Sequence, residues 1–346
     1  MINVLIVDDS AVIRKVLQEI FASDPDIHVV GTAADPFIAR DKIKTLNPDV
    51  ITLDVEMPRM DGITFLRNLM RLRPMPVVMI STLTQQGAPT TLEALEIGAV
   101  DYVGKPTQNP ERIADYADLI IEKVKTAAKA NIQRLEKQAS RAPLVVERTA
   151  KLGKATDYII AIGASTGGTE AIREVLMSMP VDSPPIVITQ HIPPVFSTSF
   201  ALRMDRSCDL TVHEAANGDK LMTGHVYIAP GDRQMQIERR GGHYYCRVWE
   251  GERVNRHMPS VEVLFQSVAK ECKGKAVGVM LTGMGADGAR AMLEMKHAGC
   301  YNFAQDQETA VVWGMPGAAV EVGAVDKVVP LNKVAHAVMH FIAQHT

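Results

Sequence analysis

The residue most able to do chemistry in this sequence is a serine on a glycine-rich bend. In YIIAIGASTGGTEAI an apolar, strand-like run stops at Gly163 and a helix-like run begins near Thr169. Ser165 lies between them in a G-x-S-x-G pattern. Such a strand-to-helix turn lifts a hydroxyl above the end of a sheet, where it can act as a nucleophile. The same glycines could instead cradle a phosphate, because amides at a helix N-terminus bind anions. A nucleophilic serine also needs a base and oxyanion donors. PIVITQHIPP supplies His191 just past one apolar run, and KAVGVMLTGMGADGAR supplies Asp287 in a glycine-rich loop past another. His257, in VNRHMPSVEVLF, competes with His191 as base. Asp306, in FAQDQET, competes with Asp287, which might otherwise only cap the helix after Gly288. Gly283, Gly285 and Gly288 allow close approach of backbone to a substrate, and the Met284 amide is placed to donate to an oxyanion. The order Ser, His, Asp differs from that of the nucleophile-elbow hydrolases, but roles and geometry define a triad, whatever its order.

A second constellation occupies the first third of the chain. INVLIVDDS ends an apolar run in Asp8 and Asp9, PDVITLDVEMPRMDG ends one at Asp54, PVVMIST ends one at Ser81 and Thr82, and VDYVGKP ends one at Lys105. Three carboxylates in one crevice repel one another unless they surround a hard divalent cation, and Mg²⁺ takes a few carboxylates together with water and phosphate oxygens. The set suits phosphoryl transfer, with Asp54 as acceptor, Asp8 and Asp9 on the metal, and Ser81 and Lys105 on the phosphoryl oxygens.

These residues can meet only if apolar strands carry them to one edge. In an open parallel sheet the C-terminal strand ends line a common crevice. The first part alternates apolar strands with amphipathic helices, the pattern of a parallel sheet covered on both faces. The second part begins and ends the same way. Its middle, HVYIAP, RQMQIE and YYCRVW, reads as antiparallel strands inserted into an α/β frame. The expected domains are residues 1–126, a linker over 127–154, and residues 155–346. The linker is rich in Lys and Arg, begins as a helix and turns extended after Pro143. A solvated spacer and a contact with an acidic partner surface are both open readings of it. The many methionines suit pliable core filling.

DDS, LDVEMPRMDG, IS and KP together resemble the response-regulator receiver family. That resemblance implies a flavodoxin-like five-stranded parallel sheet and an aspartyl phosphate on Asp54. It also implies a Glu56 carbonyl ligand to Mg²⁺, and movement of Ser81 or Thr82 and of Tyr102 on phosphorylation. IGASTGGTEAI, ITQHIPP, YIAPGD, VNRHMPSV and LTGMGADGA resemble the chemotaxis protein-glutamate methylesterase family. This second resemblance implies a mostly parallel, doubly wound α/β domain with Ser165, His191 and Asp287 as nucleophile, base and acid, assisted by Met284 and Thr166. No cofactor is expected for the esterase. The implied substrates are glutamate methyl esters on methyl-accepting chemotaxis receptors, with some glutamine amides, and the implied phosphodonor is the chemotaxis histidine kinase. Ala286, where some relatives carry a polar residue, leaves the needed amide and carboxylate in place.

Composition narrows the alternatives. The 346 residues suffice for two cores, and a formal net charge of −3 with no basic, aromatic-interleaved stripe disfavours nucleic acid. Cys208, Cys246, Cys272 and Cys300 are scattered without a C-x-x-C pair, as expected of reduced thiols. No apolar run approaches the roughly 20 residues of a membrane helix, so no membrane insertion is expected, and the N-terminus enters a strand directly. A cytoplasmic protein is the expectation. A receiver fused to a nucleotide-binding or docking module, and a hydrolase of another ester, are the competing functions.

Overall fold

The computed structural model describes residues 1–81, 87–105, 110–139 and 157–345. Thr82 and the connecting residues 140–156 lie outside them. The chain divides into two compact units, Met1–Pro143 and Leu144–Thr346.

The first unit runs β1 (Ile2–Val7), α1 (Ala11–Ala22), β2 (Ile27–Ala33), α2 (Pro36–Leu46), β3 (Val50–Asp54), α3 (Gly62–Leu72), β4 (Val77–Ser81), α4 (Ala88–Ile97), β5 (Asp101–Gly104), α5 (Pro110–Ala128) and α6 (Ile132–Ala139). Its five strands are parallel in the order β2-β1-β3-β4-β5. VITLD and VVMIS are buried along their whole length, which continuous apolar runs in a doubly covered parallel sheet require. Helix starts are written in the loops that follow the strands. Asp35 accepts from the Phe37 and Ile38 amides at 2.8 and 3.0 Å, with Pro36 at the first helical position, and Asp61 accepts from the Thr64 amide at 2.7 Å. The order reverses between β1 and β3, so Asp8 and Asp54 flank the switch point. The helical start expected for the linker is present as the end of α5 and as α6. Ala127, Ala130 and Leu135 there are buried, and α6 packs on α3 and α4.

The second unit runs β6 (Ile159–Ala164), α7 (Gly168–Met177), β7 (Ile186–Gln190), α8 (Pro194–Ser207), β8 (Thr211–Glu214), β9 (His225–Ile228), β10 (Gln234–Arg240), β11 (His243–Trp249), α9 (Val261–Cys272), β12 (Ala276–Met280), α10 (Ala289–His297), β13 (Tyr301–Gln305), α11 (Met315–Glu321), β14 (Lys327–Val329) and α12 (Val334–His345). Seven strands form one parallel sheet, β14-β13-β12-β6-β7-β9-β8. Among the described strands only β10 and β11 pair antiparallel, as a separate hairpin. HVYI, expected among the antiparallel strands, is instead β9, parallel to both β7 and β8. Short alternating strands carry no signal of direction, and the chain reaches β9 by a connection long enough to return it parallel.

The core of this unit collects Val261, Leu264, Phe265 and Val268 of α9 with Met280, Met292, Met295 and Met315, all fully buried. All four cysteines are free. Among the described residues no helix is long and apolar enough to cross a membrane. From β6 the chain winds first through β7 and later through β12 on the other side, so the second switch point lies where Ser165, His191 and Asp287 follow their strands.

Candidate functional site

Ser165 is the first residue beyond β6, and its amide donates to the Thr282 carbonyl at 3.0 Å. Gly167 follows at φ 74°, a left-handed conformation that starts α7 without a side-chain cap. The Gly168 amide turns back to the Ser165 carbonyl at 2.7 Å, so it is already spent and not free for a bound phosphate. A Cβ on Gly283 would fall 2.8 Å from Ser165 Cβ, so only glycine lets the β12 loop lie against the serine. The Gly283 amide is committed to Val312 at 3.1 Å, whereas among the described residues the next amide, that of half-buried Met284, finds no acceptor. Thr166 is buried beside the serine, and its carbonyl accepts from Thr282 Oγ1 at 3.0 Å.

His191 is the first residue beyond β7, and its ring spans the other two. Nδ1 lies 3.0 Å from Ser165 Oγ and Nε2 lies 2.8 Å from Asp287 Oδ2. Asp287, only 3% exposed, accepts from every side. Its Oδ2 also takes the Val261 amide at 2.7 Å, and its Oδ1 takes Asn255 Nδ2 and Ser260 Oγ, both at 2.8 Å. Burial pushes this carboxyl up, but the hydrogen bonds from His191, Asn255 and Ser260 and the His191 charge outweigh it and hold the pKa at about 2. An ionised Asp287 can only accept, so the imidazole proton sits on Nε2 and Nδ1 is left to accept from the Ser165 hydroxyl. The capping role considered for Asp287 is real but belongs to another helix. It caps the N-terminus of α9, whereas α10 starts at Gly288 with no side-chain cap.

The competing residues have other places. The His257 ring stacks face to face on His191, with centroids 3.6 Å apart and 9° between planes, while both His191 nitrogens face Ser165 and Asp287. Asp306 accepts from the Thr309 amide and hydroxyl at 2.9 and 2.6 Å and so builds a turn. Asn255, Ser260, Thr282 and Gln190 also support the site, and sequence reasoning passed over all four. For Asn255 and Ser260 the signal was present: both lie in the same short VNRHMPS segment as His257.

In the first unit, Lys105 Nζ reaches Asp54 Oδ2 at 2.7 Å and Asp8 Oδ2 at 3.1 Å. Asp8, Asp9 and Asp54 each offer an oxygen within 4.8 Å of the others. Burial pushes the Asp54 carboxyl up to about 6, with the Lys105 hydrogen bond opposing and the Asp8 charge adding to it. Burial raises Asp8 as well, against the pull of Lys105. One lysine therefore leaves this carboxylate set short of positive charge, and among the described residues Asp54 Oδ1 is buried without a well-aligned donor. A hard divalent cation held by carboxylate oxygens fits both facts. Ser81 ends β4, buried, with its carbonyl taking the Lys105 amide at 2.8 Å. Tyr102 is buried on β5 with Lys123 Nζ 5.2 Å from its ring centroid, and burial raises its hydroxyl pKa well above normal. Glu56 is exposed, two residues past Asp54.

Residues 160–338 match the CheB methylesterase family and residues 4–117 match the response regulator receiver domain. The chain belongs to the CheB methylesterase family. A protein-glutamate methylesterase/protein-glutamine glutaminase of Xanthomonas campestris pv. campestris is 54% identical over 99% of this chain and 98% of its own length. One from Saccharophagus degradans is 55% identical over 96% of this chain and 97% of its own. The crystal structure of the Thermotoga maritima CheB methylesterase catalytic domain aligns with a TM-score of 0.52 at 35% identity, over 55% of this chain and 98% of that one. That CheB-type domain accounts for the seven-stranded unit and its Ser165 turn, and the receiver match spans the Asp8, Asp54 and Lys105 strand ends.

Proposed function

We propose that the protein is a phosphorylation-activated, cytoplasmic protein-glutamate methylesterase. It hydrolyses glutamate methyl esters on methyl-accepting chemotaxis receptors, releases methanol, and deamidates certain receptor glutamines through the same acyl-enzyme. The observation that carries this reading is the His191 ring spanning Ser165 Oγ and Asp287 Oδ2. The working division is a receiver over 1–126, a connection over 127–154 and an esterase over 155–346.

In this mechanism Ser165 Oγ attacks the ester carbonyl as its proton passes to His191 Nδ1. The Met284 amide and the Thr166 amide hold the oxyanion; one such donor is worth roughly 10² to 10³ in rate. The imidazolium then protonates the departing methoxide, leaving a glutamyl ester on Ser165. His191 next deprotonates water, which cleaves that ester and restores the serine. Asp287 keeps its negative charge throughout and stabilises the imidazolium. In the receiver, Asp54 takes a phosphoryl group from the chemotaxis histidine kinase. Asp8, Asp9, Asp54 and the Glu56 carbonyl would hold Mg²⁺, which neutralises charge during phosphoryl transfer. Ser81 or Thr82 and Lys105 engage the phosphoryl oxygens, and Tyr102 repacks.

The unmodified receiver restrains the esterase in this reading, and the test measures methanol release from methylated receptor membranes. A chain starting at Lys154 is expected to outpace the unphosphorylated full-length protein. A small phosphodonor should accelerate only the full-length protein, and Asp54→Asn should keep basal activity but lose that response. A switch of this kind needs only a few kcal/mol between its states. If the shortened chain is no faster than the unmodified whole, restraint is the wrong mechanism and phosphorylation acts by activation.

A further inference from the structure

The chemistry lies one residue past the ends of two neighbouring strands. Ala164 and Gln190 are the last register pair of β6 and β7, and the bond from the His191 amide to the Ala164 carbonyl, 3.1 Å, closes the ladder. Beyond it, parallel strands have nothing further to hold their ends at a fixed separation. Gln190 supplies that link with its side chain. Its Nε2 donates to the Ser165 carbonyl at 2.9 Å and to the His191 carbonyl at 3.1 Å, so one amide is fastened to the backbone of both residues.

The side chain has little freedom to do otherwise. Gln190 is 3% exposed, and its Oε1 lies where a Cβ on Gly168 would be 2.1 Å away. Among the described residues that Oε1 is buried without a hydrogen-bond donor. A buried acceptor left unpaired is unfavourable, and an apolar side chain of the same length would avoid it. The amide is explained by its other end, which joins the two catalytic turns. The Ser165 carbonyl it holds is also the one that Gly168 closes upon, so the bond fixes the turn that aims the hydroxyl.

We propose that Gln190 is a positioning residue that sets the separation of Ser165 Oγ and His191 Nδ1. The inference rests on Ser165 and His191 acting as nucleophile and base. It is tested in the full-length, phosphodonor-activated protein with Gln190→Met, which keeps the length and removes the donor, and with Gln190→Glu, which turns a carboxylate toward two carbonyls. Four quantities are read: kcat and KM for methanol release, the rate of Ser165 labelling by a fluorophosphonate, and the thermal midpoint. A misplacement of reacting atoms by about 1 Å costs up to about 100-fold, so Gln190→Met should lower kcat and labelling rate together by about 10- to 100-fold. KM should stay within about twofold, because substrate contacts are untouched. Gln190→Glu should fall at least as far. If Gln190→Met does not fold, Gln190→Asn takes its place, since it keeps an amide one methylene too short to reach both carbonyls. The proposal is overturned if kcat is unchanged while Ser165→Ala is inactive, if KM moves instead of kcat, or if the loss only follows the folded fraction. Full activity in Ser165→Ala would instead remove the underlying assignment of the site.

Discussion

Ser165→Ala is expected to reduce methanol release by about 10⁴ to 10⁶, to the residual level that oxyanion donors and binding alone sustain. No other hydroxyl can take over. The His191 nitrogen that accepts a proton faces Ser165 at 3.0 Å, and its other nitrogen is bound to Asp287. Stability should barely change, because a half-buried hydroxyl is lost without opening a core cavity. Phosphorylation of Asp54 should continue at its normal rate, since that carboxylate belongs to the other compact unit. The measurement pairs methanol release with radiolabelling by a phosphodonor in the same preparation. Substantial hydrolysis by this variant would remove Ser165 as nucleophile, and a simultaneous loss of phosphorylation would show the variant to be misfolded.

Asp287→Asn should be the second most damaging change, with kcat lowered by about 10⁴ and a loss of stability besides. The carboxylate accepts from His191, Val261, Asn255 and Ser260, while an amide has a single oxygen and must point its NH₂ at some of these donors. With NH₂ toward His191, the ring has to carry its proton on Nδ1 and can no longer accept from Ser165. The stability part has a definite pH dependence. Asp287 titrates at about 2 in the fold against 3.8 unperturbed, so its contribution is fully present above pH 4 and is lost as pH falls toward 2. At neutral pH that contribution is roughly 2 kcal/mol, by the conversion of 1.36 kcal/mol per pKa unit. Urea unfolding of the wild type and the variant at pH 7 and pH 3 checks the sign: the gap should narrow in acid. A gap that widens in acid would mean that the carboxylate is not held ionised by its partners.

Much of this arrangement was legible before the fold was known, for a physical reason. Asp8, Asp54, Lys105, Ser165 and His191 all stand directly at the ends of apolar runs, and parallel strands bring such ends together whatever the loops do. Asp287 was legible through its glycines. The residues that hold these groups were not. Gln190 and Thr282 carry no signal in the sequence, and their value depends on which neighbouring segment each one meets. Asn255 and Ser260 share a short segment with His257, which marked that stretch, but their contact with Asp287 depends on where the segment before α9 lies in the fold. Strand direction was lost at β9 for the same reason: alternation fixes faces, and pairing fixes direction. The chain after Ala127 read as a spacer from its charge, yet Ala130 and Leu135 supply enough apolar surface to pack it onto the receiver helices.

The orientation of the His191 ring bears on the inhibitor chemistry this site will accept. In the serine-protease template the serine faces Nε2, the nitrogen at the far side of the ring. Here it faces Nδ1, the nitrogen next to the ring's own attachment to the backbone, and the far nitrogen is occupied by Asp287. A substrate-like haloketone that captures both serine and histidine must therefore form its carbon–nitrogen bond close against the end of β7. The adduct would be a 1,5-disubstituted imidazole, where the protease arrangement gives the 1,4-isomer.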